Sequence, residues 1–345
     1  TDVPILFSNK VDDDNATGIT FAVNEQKTEN QKPNAEKCIT IYETNVKPIL
    51  CRCGGRVIAS VIKDQWFINY GRPEWKNKAY EALSHIVIQP EKYRKLFEDT
   101  FAWLNKRPCA RRRGLGTPLP FDPEWIIESL SDSTIYMAFY TMAHHIKHNN
   151  IQPRQLTHEF FDYVLLGRGK IEEVSEQTGI KPDLIERMRE EFLYWYPVDL
   201  RHTAVMHITN HLSFFIFHHT AVFPKKHWPK KISLNEPLIR EGEIMSKSKG
   251  NVLPLVDVPR RYSADLYRLY ITYAADSTST VDWREREFAS AARQVEKFWT
   301  LANGIVKGKG EVPKRAIRLS HFSKWLLSRV NSNVQLATRH IENHR

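Results

Sequence analysis

The sequence predicts an α/β protein that continues into an all-helical region. Strand-like and helical patterns alternate from residue 48 to about residue 251, and helices dominate after that point. Such alternation is typical of a parallel sheet covered by helices, and a run of helices alone indicates an appended helical part. With 345 residues, 41% apolar and 26% charged, the chain is long enough for two or three domains and has a globular composition.

The individual elements follow from hydrophobic spacing and from residues that start helices. Alternation in RVIASVIKDQWFINY (56–70) predicts a strand, and apolar residues at helical spacing predict a helix from Pro73. Further helices are predicted at 91–105, 133–148, 182–195, 206–221, 264–275, 285–306 and 319–343, with an extended run at 197–200 and strand-like residues at 232–245. Asp132 or Ser133 suits the cap of the helix at 133, and Pro182 suits the first turn of the helix at 182.

The beginning of the chain predicts a linker and no export signal. The segment VNEQKTENQKPNAEK (23–37) has almost no apolar anchors, so a flexible linker is expected at 24–47. The first residues lack a basic start and an apolar signal core. No apolar run approaches the roughly eighteen residues of a membrane-spanning helix. We therefore expect a cytoplasmic protein with no membrane partner.

The positive charge favours a nucleic-acid partner. The formal net charge is +10, and basic residues cluster in KRPCARRRG (106–114), PKKHWPKK (224–231) and VPRRY (258–262). Aromatic residues beside two of these clusters suit a surface that meets phosphate and base together. A basic surface that serves solubility is the alternative.

Four cysteines are too few for a disulfide framework in a chain of this size. The C-x-C of Cys51 and Cys53 resembles half of a zinc knuckle, with Cys38 and Cys109 as the remaining candidates. A structural zinc site needs four nitrogen or sulfur ligands, and only the first pair is close in sequence. Free thiols are favoured over zinc, and no metal site is assigned.

The loop EGEIMSKSKGN (241–251) has the composition of a phosphate-binding loop. Lys247 and Lys249 can neutralise a leaving pyrophosphate, while the small residues around them let backbone amides approach its oxygens. This chemistry is that of phosphoryl or nucleotidyl transfer. A solvated turn is the alternative.

MSKSKGN closely resembles the KMSKS loop of class I aminoacyl-tRNA synthetases, and other segments extend the resemblance to leucyl-tRNA synthetases of the archaeal and eukaryotic type. These segments are DQWFINY (64–70), CARRRGLGTPLPFDPEWIIESLSDSTIYMAFYT (109–141), EEFLYWYPVDLR (190–201), NHLSFFIFHH (210–219) and YSADLYRLYITYAADSTSTVDWRE (262–285). They occur in the family's order, and the likeness spans nearly the whole chain after Pro48. VPIL and VDDDNATGITFAV near the start resemble the closing part of the family's editing domain.

The resemblance implies a Rossmann-like parallel-sheet core, leucine activation with ATP and magnesium, and transfer of leucine to tRNA. It divides the chain into a remnant of the editing domain at 1–23, the linker at 24–47, the second half of the catalytic core at 48–251, a helical stem-contact region at 252–312, and the first helix of an α-helical bundle at 313–345.

The resemblance also assigns roles to residues of this sequence. Lys247 is the phosphate-stabilising lysine, with Ser246 and Ser248 shaping the loop and Lys249 and Gly250 completing the ATP contacts. Ser133 and Tyr136 line the leucine pocket, His211 stands at its far wall, and His207 faces the nucleotide. The tRNA contacts are Arg111, Arg112, Arg113, Lys225, Lys226, Arg260 and Arg261. Ordinary core packing is the alternative for Tyr136 and His211.

Departures from the family pattern concern the ATP site. The chain contains no H-x-G-H motif, which the family carries in the first half of its core. Where the family reads S-G-K-D or G-G-x-E, this chain has TAVM at 203–206, so methyl groups replace glycine and Met206 replaces the acid that binds ribose. A lost hydrogen bond to a charged group is worth about 1.5 to 3 kcal/mol. Ile244 stands where the loop has its first lysine.

In the family's editing domain, ATGITFAV is followed by a stretch with proline, histidine and aspartate that recognises the amino group of a misattached amino acid. Here the linker follows instead, and one bundle helix stands where several are expected. We therefore expect a degenerate paralogue or fragment that binds tRNA but does not activate leucine unaided. Two alternatives stay open. Another polypeptide supplies the H-x-G-H half, or the sequence is an incomplete stretch of a working enzyme.

Overall fold

The computed structural model of the protein describes residues 64–245, 250–274, 276, 278–308 and 319–343, and the backbone of three earlier strands. Most of the predicted linker, Cys38, Cys51, Cys53 and the loop residues 246–249 lie outside this part of the chain. The three early strands are β1 (Ile5–Ser8), β2 (Ile19–Ala22) and β3 (Ile41–Thr44). Strand β3 falls at the end of the predicted linker and pairs antiparallel with β2.

The remaining elements are given in chain order. The strands are β4 (Gln65–Asn69), β5 (Val87–Gln89), β6 (Lys106–Pro108), β7 (Ala110–Arg111), β8 (Pro118–Leu119), β9 (Asp122–Ile127), β10 (Arg201–Ala204), β11 (Lys231–Asn235), β12 (Ile239–Arg240), β13 (Glu243–Ile244) and β14 (Asp282–Trp283). The helices are α1 (Pro73–His85), α2 (Arg94–Trp103), α3 (Ser129–Asp132), α4 (Tyr136–His148), α5 (His158–Phe161), α6 (Ile171–Thr178), α7 (Pro182–Trp195), α8 (Ser213–Val222), α9 (Val258–Tyr262), α10 (Ala264–Ala274), α11 (Glu285–Lys307) and α12 (His321–Glu342).

A three-stranded parallel sheet forms the centre of the first core, in the order β10, β11, β5. Parallel neighbours need a crossover connection, and α8 provides it between β10 and β11. Ile232 and Leu234 of β11 are fully buried, as expected for the middle strand of a covered parallel sheet. The predicted α/β class is confirmed by this arrangement.

Helix α8 is buried almost all round, unlike an amphipathic surface helix. Phe217 packs edge-on against Trp75 and Phe101, with ring centroids 5.3 and 5.0 Å away. Trp75 Nε1 also donates to the Phe217 carbonyl at 2.8 Å. The apolar residues of α8 therefore pack this helix against α1 and α2.

Smaller antiparallel sheets precede and flank this core. Strand β4 pairs with β1 on one side and β6 on the other, and β9 pairs with β7 and β8. Trp125 of β9 is buried beside Ala110 and Leu119. The sequence did not predict the second of these sheets, because its strands are short and interrupted by the glycine- and proline-rich loop.

A second core lies in the later part of the chain. Strand β12 pairs with β13 and, in parallel, with β14. Tyr270, Trp283 and Phe288 are buried together, and the Trp283 and Phe288 rings are stacked at 4.9 Å. This aromatic cluster holds α10 and α11 against the small sheet.

Helix α12 carries many exposed apolar side chains. They include Phe322, Trp325, Leu326, Leu327, Val330, Val334, Leu336 and Ile341. Near its end, the Asn343 carbonyl accepts a hydrogen bond from Gln89 Nε2 of β5 at 3.0 Å. Among the described helices, none combines the length and the apolar character that a membrane crossing requires.

Most predicted helices are present, but two local expectations were wrong. Neither Asp132 nor Ser133 caps α4, whose N-cap is Ile135 and lacks a side-chain hydrogen bond. Glu128 accepts from Leu130 N and Ser131 N and so starts the short helix α3 first. The helix predicted at 206–221 is a 3₁₀ turn (Val205–His207), a π-helical turn (Ile208–Leu212) and α8 in succession.

We expect Phe217→Ala to lower the free energy of unfolding by about 3 to 5 kcal/mol, because it opens a cavity between α1, α2 and α8. Phe298→Ala is the matched control, since Phe298 on α11 is 68% exposed, and a change within about 0.5 kcal/mol is expected there. Urea denaturation followed by circular dichroism measures both. Equal losses for the two variants would contradict the described core.

Candidate functional site

The candidate site lies where the parallel strands end. After β5 come Lys92 and Tyr93, after β10 comes the turn Val205–His207, and after β11 comes Glu236. The Tyr93 hydroxyl donates to Glu236 Oε1, and Lys92 Nζ lies 3.3 Å from the same oxygen. In open parallel sheets ligands bind at the carboxyl ends of the strands. These contacts join the chain segments that follow β5 and β11, and the carboxyl ends of the strands are the expected position for a ligand.

His211, in the π-helical turn, connects the predicted pocket residues. Its Nδ1 lies 3.2 Å from Ser133 Oγ, and Arg201 Nη2 donates to its Nε2 at 3.0 Å. Arg201 Nη1 lies 3.4 Å from the Tyr136 hydroxyl. The structure thus brings Ser133, Tyr136 and His211 together, and Arg201, which sequence reasoning missed, bridges two of them.

The protonation state of His211 follows from its partners. Arginine only donates hydrogen bonds, so Nε2 of His211 accepts, and the proton of the neutral ring lies on Nδ1, where it can be donated to Ser133 Oγ. Burial, the Arg201 cation and nearby His207 lower the pKa of His211 to about 4. His211 is therefore neutral at pH 7 and fixes the orientation of the Ser133 hydroxyl.

A second histidine, His218, anchors the neighbouring residue. Thr134 Oγ1 donates to the Ser131 carbonyl at 3.0 Å and lies 2.6 Å from His218 Nδ1. On the other side of the ring, the Tyr70 hydroxyl lies 2.9 Å from His218 Nε2. Burial lowers the pKa of His218 and raises that of Tyr70. The neutral ring therefore bridges Tyr70, directly after β4, and Thr134, two residues before α4.

The resemblance predicts a ribose-binding pattern at 203–206, which lies at the end of β10 and in the turn that follows it. Thr203, Ala204 and Val205 are partly buried, whereas the Met206 side chain is 56% exposed. The His207 ring lies 6.4 Å from that of His211, measured between centroids. An exposed thioether is at most a weak hydrogen-bond acceptor, so Met206 cannot substitute for a carboxylate at this strand end.

The base of the phosphate-type loop is a two-stranded hairpin. Strands β12 and β13 are joined by Glu241 and Gly242, whose φ angles of 49° and 81° suit a type I′ turn. Ile244 is 70% exposed, and its carbonyl accepts from Asn251 Nδ2 at 3.2 Å. Gly250 has a φ of 67°, which favours glycine there. Ser246, Lys247, Ser248 and Lys249 lie between these anchors, outside the described residues.

The three predicted arginine contacts have different surroundings. Arg111 donates to the Leu115 carbonyl, and its buried Nε has no hydrogen-bond partner among the described residues. The Arg112 guanidinium stacks over Trp125 at 4.6 Å. Arg113 is exposed. Arg111 therefore organises the loop, whereas Arg112 and Arg113 present positive charge at its surface.

The other predicted tRNA contacts lie on short helical turns. Lys225 and Lys226 are exposed on the 3₁₀ turn Lys225–His227, and Lys225 forms an ion pair with Glu81. Arg260 and Arg261 are exposed on α9. These side chains present positive charge at two further places on the surface.

Cys109 is the cysteine that the structure describes. It is buried beside the small antiparallel sheet, and burial raises the pKa of its thiol to about 11. The protonated form is therefore favoured, whereas a zinc ligand must be a thiolate.

Comparison with known proteins identifies the class. The family model of class I tRNA synthetases for isoleucine, leucine, methionine and valine matches residues 20–284. The chain belongs to this family.

Individual relatives show which member of the family the chain resembles. The chain is 50% identical over 334 residues to the leucine–tRNA ligase of Staphylothermus marinus, covering 96% of this chain and 34% of the relative. It is 46% identical over 312 residues to that of Pyrococcus furiosus, covering 88% and 32%. The resemblance to leucyl-tRNA synthetases is thus confirmed, and the chain spans about a third of the length of these relatives.

A solved structure supports the fold. Methionyl-tRNA synthetase of Mycobacterium tuberculosis, in complex with methionyl-adenylate, aligns with a TM-score of 0.56 at 15% identity, covering 87% of this chain and 53% of that one. The expected fold, a partial Rossmann-like core followed by helices, is confirmed.

We expect the His211 ring to stay neutral down to a pH of about 4. Its ordinary pKa is 6.5, so the unfolded chain binds more protons between these values, and its contribution to stability is complete above pH 6.5 and declines as the pH falls towards 4. Arg201→Met removes the cation that, after burial, lowers the pKa of His211 most. It should raise the midpoint of the His211 titration, measured by NMR of the histidine ring protons. Arg154→Met, on an exposed turn, should leave it unchanged. A His211 midpoint near 6.5 in the unaltered protein would contradict the network.

Proposed function

We propose that the chain is a leucyl-tRNA synthetase-like protein that binds tRNA but does not activate leucine unaided. The observation that carries this proposal is the pair of apolar side chains at the expected ATP positions. Met206 is 56% exposed after β10, and Ile244 is 70% exposed beside the loop. Both lie in the part of the catalytic core that the chain contains.

The loss of charge at these two positions affects different steps. A carboxylate at 206 would accept hydrogen bonds from ribose hydroxyls, whereas methionine leaves the nucleotide weakly held. A lysine at 244 would stabilise the leaving pyrophosphate, and its loss lowers a rate on the order of a hundredfold where that charge is used. Lys247 and Lys249, with Ser246 and Ser248, remain as candidates for phosphate contact. ATP with magnesium is the co-substrate if the chain is active, but the described residues fit it poorly.

The amino-acid side of the site is better preserved. Ser133, Tyr136 and His211 are linked through Arg201 and by direct hydrogen bonding at 3.2 Å. The buried, neutral ring of His211 orients the Ser133 hydroxyl. We infer that this group of side chains near the start of α4 contacts leucine.

Binding of tRNA is assigned to the exposed basic residues. Arg112 and Arg113, Lys225 and Lys226, and Arg260 and Arg261 occupy the three clusters. In the proposed division of the chain, the first two clusters lie in the half catalytic core (48–251) and the third lies in the stem-contact region (252–312). The editing remnant (1–23), the linker (24–47) and the bundle helix (313–345) contain none of the three clusters. We place this activity in the cytoplasm.

A second candidate function is that of an active leucine–tRNA ligase completed by another polypeptide or by further sequence. The observation that favours it is the edge of the parallel sheet, since β10 pairs with β11 but with no second strand among those described. Parallel sheets are normally covered and continued, so this edge suits a strand that carries the H-x-G-H half.

Leucine-dependent exchange between ATP and pyrophosphate separates the two functions. We expect no detectable exchange with the chain alone, and none after Met206→Asp and Ile244→Lys are combined if the absent half is the main defect. Exchange that appears when a polypeptide with the H-x-G-H half is added would favour the second function. Robust exchange by the unaltered chain alone would rule out the first.

Filter binding of tRNA at increasing salt concentrations tests whether the chain binds tRNA. We expect the affinity to fall steeply with salt. Arg260→Ala with Arg261→Ala should weaken binding and reduce the logarithmic salt slope by about one for each phosphate that is no longer neutralised. Lys78→Ala on α1 is the control, because Lys78 is exposed but lies outside the three clusters. An affinity that barely changes with salt would contradict phosphate binding by these residues.

A further inference from the structure

Three potential metal ligands meet on the surface where α4 packs against α7, away from the predicted pocket. His144 and His145 lie near the end of α4, and Glu191 lies on α7. The ligand atoms of the three side chains all lie within 4.8 Å of one another. The sequence did not indicate this group, since the acid comes from a distant helix.

The surroundings of the three residues are consistent with a binding site. His145 Nε2 is buried and has no hydrogen-bond partner among the described residues, although buried polar atoms are normally paired. The His144 and His145 rings lie 3.9 Å apart between centroids. Trp195 Nε1 donates to Glu191 Oε2 at 3.0 Å. An indole that orients a carboxylate is the kind of supporting contact that metal sites use.

We propose that His144, His145 and Glu191 bind a divalent transition metal, with Zn²⁺ as the best fit. Two imidazoles and a carboxylate match the ligand preference of Zn²⁺, whereas Mg²⁺ and Ca²⁺ prefer oxygen ligands alone. Ligands on a tetrahedral zinc lie about 3.3 Å apart, given metal–ligand distances near 2.0 Å. The three ligand atoms, which lie within 4.8 Å of one another, would need to move closer together to bind the metal.

Charged side chains beside the three ligands affect how tightly a metal ion binds. Arg187 and Glu190 line the same cleft, so a cation meets one opposing and one attracting charge beside its three ligands. Three protein ligands leave the fourth position to water or a ligand of another molecule. The metal would join the end of α4 to α7. The other end of α4 carries Tyr136, and the segment after α7 leads to Arg201, so both helices also connect to the candidate site.

Titration of the chain with Zn²⁺ by calorimetry tests the site in a background of Cys38→Ser, Cys51→Ser and Cys53→Ser. These changes leave Cys109, which is buried and favours the protonated thiol, as the remaining cysteine. We expect one saturable Zn²⁺ per chain and a higher melting temperature in its presence. His145→Gln and Glu191→Gln should each lower the affinity at least tenfold, and Trp195→Phe by about tenfold because only the orienting N–H is lost.

His158→Gln is the matched control, because His158 is exposed on α5 and outside the group. The affinity of this variant should equal that of the background. Circular dichroism of each variant without metal separates loss of a ligand from loss of the fold. Zn²⁺ uptake that is non-saturable, or unchanged by both His145→Gln and Glu191→Gln in folded protein, would overturn the proposal.

Discussion

The geometry of the candidate site depends on two uncharged histidines on one helical segment. His211 and His218 are seven residues apart, about two helical turns, and their rings meet the adjacent residues Ser133 and Thr134. Because burial favours the neutral form of both rings, each can donate on one side and accept on the other. This double contact fixes the start of α4 against the segment that follows β10. The pocket is therefore shaped by the scaffold itself.

Scaffold and reaction chemistry are separated in this chain. The residues that position α4 are buried or half-buried and are hydrogen-bonded to one another, so replacing one of them would leave its partner without a hydrogen bond. Met206 and Ile244 instead project from the surface, where an apolar side chain has little effect on folding. Under the proposed function, groups that act on ATP are replaced at these two exposed positions while the fold is retained. A retained fold is by itself weak evidence for activity.

Local signals in the sequence predicted the helices better than they predicted the site. Pro182 at the first position of α7 needs no distant partner to begin that helix. The expected cap at Ser133 was wrong because Ser133 ends α3 as its C-cap, and its hydroxyl lies 3.2 Å from His211 Nδ1. The resemblance supplied Ser133, Tyr136 and His211, but Arg201 and Thr134 became visible only once β10 and α8 were placed beside α4. Pairing across the chain depends on tertiary contacts, which spacing alone does not reveal.

The number of residues in the π-helical turn Ile208–Leu212 determines how α8 is oriented around its axis. The turn accommodates one residue more than an α-helical turn would, and Ser213 Oγ donates to the Ile208 carbonyl at 2.6 Å. Shortening this turn by a single residue would rotate everything after it by about 100° around the helix axis. The phenylalanines of α8, which is buried almost all round, would then meet different neighbours, and His218 would lose its contact with Thr134. Insertions and deletions at this point should be far less tolerable than substitutions.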